Sequence, residues 1–158
     1  MQSIRFVAVL SALLFSAMAI YTSPLDPGIP SIQLTFTEAA FNSILHRWNA
    51  AQIDVFKRHF LLDYPFLACY GSLGYLISRR TVLFARFSPH AQKLLSFSLP
   101  LAALADGVEN ALHLRLLYGA ATVDQGQYLA AGMVATTKWL LILFYVAAAI
   151  HAKFKSER

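Results

Sequence analysis

The chain has 158 residues, of which 58% are hydrophobic and only 13% charged, with a mean hydropathy of +0.54 and a formal net charge of +5. Soluble domains carry about 25% charged residues, so this composition excludes an ordinary soluble globule and predicts an all-α integral membrane domain. The cation excess requires no nucleic acid, because the basic residues flank apolar stretches, where anionic lipid headgroups accept them.

A membrane-crossing helix needs about 20 apolar residues. Four stretches qualify, at 6–22, 60–77, 94–118 and 128–150, with a segment outside the membrane at 23–59. The expected fold is therefore a four-helix membrane bundle forming one domain over 1–158, with a short extracytoplasmic amphipathic helix. The first stretch follows a single cation, Arg5, and is read as an uncleaved anchor, although Ala17-Met18-Ala19 also has the small-residue pattern of a signal-peptide cleavage site. Beyond it Pro24, Pro27, Gly28 and Pro30 break the helix, and Ile32 to Phe36 alternates as a short extended piece would. Thr35 and Glu38 then read as a capping box. Phe41, Ile44, Leu45 and Trp48 follow at helical spacing while His46, Arg47 and Asn49 point elsewhere, so this helix should lie on the membrane surface or cap the mouth of the bundle.

In the second stretch Pro65 frees the carbonyl of Leu61 and predicts a kink one turn from Asp63. Asp63, Tyr70 and Gly74 fall on one face, and Gly71 with Gly74 suits the close approach of another helix. The lone Cys69 reads as a small packing residue. The next connection carries Arg79, Arg80, Arg86 and Lys93 without an acid, and the C-terminal tail carries Lys153, Lys155 and Arg158; with Arg5 these outnumber Arg47, Lys57, Arg58 and Arg115 on the other side. By the positive-inside rule both termini are cytoplasmic, and the expected location is a bacterial inner membrane.

Ionisable groups in hydrocarbon cost roughly 2.5 to 3.5 kcal/mol each, so those inside the apolar stretches are the best functional pointers. Asp106, Glu109, Asn110 and His113 follow the i, i+3, i+4, i+7 pattern of one helix stripe, which should face the interior. Counted from the outer ends of their spans, Asp106 and Lys138 reach a similar depth near the midplane and are natural partners. Asp63, Asp106 and Glu109 outnumber the single ammonium of Lys138. Protonation of a carboxyl or of His113, a bound cation, or water from the outer face would each restore balance.

A divalent ion could use Glu109, His113, Asp106 and Asp63, but the chain has no second Glu/His pair, no paired-histidine motif and no CxxC, so neither a metal nor a cofactor is expected. No glycine elbow surrounds a serine and no phosphate-binding glycine loop occurs.

Asp63-Tyr64-Pro65-Phe66-Leu67-Ala68-Cys69-Tyr70, Asp106-Gly107-Val108-Glu109-Asn110 and Lys138-Trp139 together resemble a family of small, mostly bacterial four-span membrane proteins with D-[FY]-x-F-x-x-x-Y, D-x-x-E-N and K-[FW] on successive helices. The likeness runs from about Pro30 to Tyr145 and includes an extracytoplasmic segment ending in a tryptophan, here Trp48. It implies the four-span architecture and a site built from Asp63, Tyr70, Asp106, Glu109, Asn110 and Lys138, and it implies no mechanism. The residues favour a structural or accessory role, in which the charges form a satisfied network fixing helix register. The alternatives are a lipid or small-molecule site, enzymatic or not, opening to the outer leaflet with Lys138 and Asn110 holding a headgroup, and proton-coupled transport. The expected partners are membrane lipids and either further copies of the chain or an accessory protein in the membrane.

Overall fold

The computed structural model describes residues 2–119 and 123–156, the side chains of 155 and 156 excepted. These residues form six helices and no strand: α1 (Gln2–Thr22), α2 (Ile29–Gln33), α3 (Glu38–Arg47), α4 (Ala50–Arg80), α5 (Pro89–Tyr118) and α6 (Gln125–Ser156). Three of them, α1, α4 and α6, are long and apolar enough to cross a membrane. The apolar run of α5 is interrupted by Asp106, Glu109 and Asn110.

Local chemistry sets the boundaries. Thr37 opens α3 by accepting from the Ala40 N–H, and Ser88 opens α5 in the same way through Ala91, with Pro89 in the first turn where a missing N–H is harmless. Asn49 and Gln52 form a reciprocal capping box that starts α4. The cap of α3 at Thr37 corrects the sequence reading, which opened that helix with a box at Thr35 and Glu38. The Thr35 hydroxyl instead donates to the Ile32 carbonyl. No strand forms at Ile32 to Phe36, expected to be extended: Ile32 and Gln33 belong to α2, because Gly28 and Pro30 supply a helix start that outweighs the short alternation. α4 begins well ahead of the expected span and stays helical through Pro65.

The long helices pack in sequence, α1 on α4, α4 on α5 and α5 on α6. Arg80 of α4 donates to Ser3 of α1, and Phe87 meets His151 of α6, so the start of α1, the connection after α4 and the end of α6 share one end of the molecule. At the opposite end α2 and α3 fold over the helices. Leu25, Ile32, Phe41, Trp48, Phe56 and Phe60 are buried there with Leu116 and Tyr128, in an aromatic plug. Full burial of each large apolar side chain contributes about 1.5–3 kcal/mol, which holds the short helices down. Trp48 also donates from Nε1 to the Pro27 carbonyl at 3.0 Å, and Gln52 from Nε2 to the Pro24 carbonyl at 2.7 Å. Thus α3 caps the other helices through the face that the sequence marked as apolar, while His46, Arg47 and Asn49 stay exposed.

Two contacts depend on glycine. A Cβ on Gly71 would sit 2.9 Å from the Ala103 Cβ, and one on Gly74 would sit 2.5 Å from the Leu99 Cβ, so α4 and α5 approach along a seam with no room for a side chain. A Cβ on Gly132 of α6 would lie 2.5 Å from the Thr35 carbonyl oxygen and 2.6 Å from the Phe36 ring. Gly132 therefore lets the segment after α2 rest directly on α6.

Candidate functional site

The charged residues inside the apolar stretches meet. From α5, Asp106, Glu109, Asn110 and His113 all point inward and are buried, as the one-face spacing requires. Lys138 of α6 reaches across to them. Its Nζ donates to Asp106 Oδ1 at 2.9 Å and lies 2.7 Å from Glu109 Oε2. The second approach is a buried ion pair, so the ammonium is shared by two carboxylates of α5. His113 Nδ1 stands 3.6 Å from Glu109 Oε1 one turn away, with its ring stacked on Phe41 of α3 at a centroid distance of 5.9 Å.

α4 closes the cluster from its own polar face. Asp63 Oδ2 accepts from Asn110 Nδ2 at 2.6 Å, and the Tyr70 hydroxyl donates to Asp106 Oδ2 at 3.2 Å. All seven residues singled out from the sequence make such contacts between or along α4, α5 and α6, in two groups: Tyr70, Asp106, Lys138, Glu109 and His113 form one chain of contacts, and Asp63 with Asn110 forms a pair beside it. The two assigned to hold a headgroup are otherwise occupied. Lys138 spends itself on Asp106 and Glu109, and Asn110 on Asp63.

Beside this network lies a cavity of about 430 Å³ that the sequence did not disclose. α1 packs along α4, and α6 along α5, which leaves a cleft between α1 and α6. Phe15, Met18 and Ala19 of α1 line one side, and Trp139, Ile142 and Val146 of α6 the other. Asp63, Tyr70, Asp106 and Lys138 form its polar floor, together with Thr22, Gln33 and His59. Drug-sized binding sites are commonly about 300–1,000 Å³, apolar-walled and furnished with a few convergent polar groups.

His59 and Gln33 are the residues that sequence reasoning missed. His59 lies one turn before Asp63 on the same face, and that spacing could have added it to the stripe. Its Nδ1 contacts the Phe56 carbonyl, which can only accept. The proton therefore sits on Nδ1, which in the neutral form of the ring leaves Nε2 as an acceptor. Gln33 is only 7% exposed, and its Oε1 has no hydrogen-bond partner. No periodicity marks Gln33, because it reaches the site only when α2 docks.

Among the described residues, no group of three or more His, Cys, Asp and Glu side chains is placed to hold a metal ion. No family model matches this chain, and neither a curated protein nor a solved structure shows significant similarity to it.

Proposed function

We propose that the chain is a four-span membrane protein that binds a small molecule or lipid in the cavity between α1 and α6, against the buried charge cluster. The observation that carries this reading is the coincidence of an apolar-walled cavity with the polar floor just described. α1, α4, α5 and α6 are the spans in this reading, with both termini on the cytoplasmic side of a bacterial inner membrane. The lopsided distribution of cations supports the orientation. Support for α5 as a span comes from its outer face, where Leu94, Phe97, Leu101, Leu104 and Val108 are exposed at alternating spacings of three and four, a stripe suited to lipid. The resemblance to small four-span proteins agrees with this arrangement.

The test removes the space and leaves the charges. The full chain and Ile142→Trp, which fills the cavity from α6, are purified in parallel and their bound molecules analysed by mass spectrometry. The binding reading expects a molecule that accompanies the parent protein and is missing from the variant; equal content in two folded proteins overturns it.

A second role for the same groups is structural. Lys138 with Asp106 and Glu109, and Asn110 with Asp63, tie α4, α5 and α6 in one register, a role often filled by buried ion pairs. This role coexists with ligand binding because the ties lie on the floor of the cavity and leave its volume open.

A further inference from the structure

We infer that the occupant of the cavity is a single-chain amphiphile with a cationic, hydrogen-bond-donating head, an ammonium rather than a phosphate or carboxylate. This rests on the binding reading above and follows from an inventory of donors and acceptors on the cavity floor.

Most of the polar groups there turn acceptors to a guest, the N–H groups of the Gln33 amide and the Trp139 indole excepted. The Thr22 hydroxyl donates to the Met18 carbonyl at 2.9 Å, and the Tyr70 hydroxyl to Asp106, so each turns only lone pairs to a guest. His59 has its proton on the Phe56 side and offers Nε2. Asp63 uses one oxygen for Asn110 and retains the other, and Gln33 Oε1 is buried without a partner. Lys138 is the main donor, and two acidic side chains already engage it.

An anionic head would meet Asp63 and Asp106 with a cation already spent, and its own oxygens would add acceptors to acceptors. A neutral hydroxyl head supplies one proton. An ammonium supplies three donors and the positive charge that the Asp63, Asp106 and Glu109 carboxyls exceed Lys138 in requiring. The polarity gradient orients the guest. Thr22, Gln33 and His59 lie toward the capped end, whereas Phe15, Leu99, Ile142 and Val146 line the cavity below. The head therefore sits beneath α2, and the chain runs along α1 and α6 toward the other end.

The experiment offers the full chain in phosphatidylcholine nanodiscs four probes of one tail length: dodecylamine, dodecanol, dodecanoic acid and dodecyl phosphate. Retention is read by native mass spectrometry for the parent, Asp63→Asn, Gln33→Leu and Ile142→Trp. Dodecylamine should be retained about tenfold over each of the others, in line with the greater strength of charge-assisted hydrogen bonds. That preference should shrink in Asp63→Asn and in Gln33→Leu, the latter lying outside the charge network and so sparing its ties, and all retention should vanish in Ile142→Trp. Preference for the acid or the phosphate, or equal retention of all heads, overturns the ammonium assignment and leaves the binding reading standing. Retention of no probe by the parent overturns both. A preference for the amine that neither Asp63→Asn nor Gln33→Leu alters places the head elsewhere and sinks this inference.

Discussion

The two interhelical boundaries beside the charge cluster are opposites. Between α4 and α5, Gly71 and Gly74 bring the backbones so close that a single added carbon meets Ala103 or Leu99. Between α1 and α6 there is a cleft wide enough to hold a cavity. The same network of Asp106, Glu109 and Lys138 thus stands between a sealed side and an open side. The difference teaches that buried charge in an apolar helical protein can be structural on one flank and available for chemistry on the other. Substitutions on the sealed flank should register as stability, and those on the open flank as binding.

The largest effect should come where the flanks meet. Lys138→Met leaves Asp106 and Glu109 buried without a cation and should cost about 3–5 kcal/mol of unfolding free energy, measured by denaturant titration in detergent. A loss below about 1 kcal/mol, within the range of exposed ion pairs, would show that water already reaches the pair. On the sealed flank Gly71→Ala forces a methyl group against the Ala103 Cβ, which does not line the cavity, and should destabilise by about 1–3 kcal/mol while leaving ligand retention unchanged. Tyr145→Phe removes the hydroxyl that donates to the Gly74 carbonyl at 3.1 Å and accepts from Ser78 at 3.2 Å; a net loss of about 0.5–1.5 kcal/mol is expected from the same titration. The smallest change in stability belongs to the open flank. Val146→Ala on the cavity wall should stay within about 0.5 kcal/mol of the parent, because the side chain is exposed, yet it should weaken retention of a bound amphiphile. A large stability loss there, with retention intact, would erase the contrast between the two sides.

The sealed flank was largely legible in the sequence and the open one was not, for a physical reason. Asp106, Glu109, Asn110 and His113 repeat at the period of a helix, so their shared face follows from geometry alone. Rise per residue then put Lys138 level with Asp106, and the structure places the two 2.9 Å apart. Gly71 and Gly74 likewise announced close packing, which the distances to Ala103 and Leu99 display. A cavity, by contrast, is an absence of contact between α1 and α6 and has no residue pattern of its own. Gln33 joins it through the docking of α2, whose five residues were too few to outweigh an apparent alternation. The cap at Asn49 carries no periodic signal either, since a single polar residue decides where the chain turns.

Gly132 ties the roof of the molecule to one wall. Because the backbone at Thr35 and Phe36 lies directly on α6, while the main packing partner of α1 is α4, the panel above the polar floor of the cavity is fastened on the side away from the N-terminal helix. Widening the slot for an incoming tail then requires one peripheral rod to swing, with the ceiling and the ionic floor staying put. In this layout the proposed doorway and the ionic ties fall to different helices, α1 for the one and α4, α5 and α6 for the other.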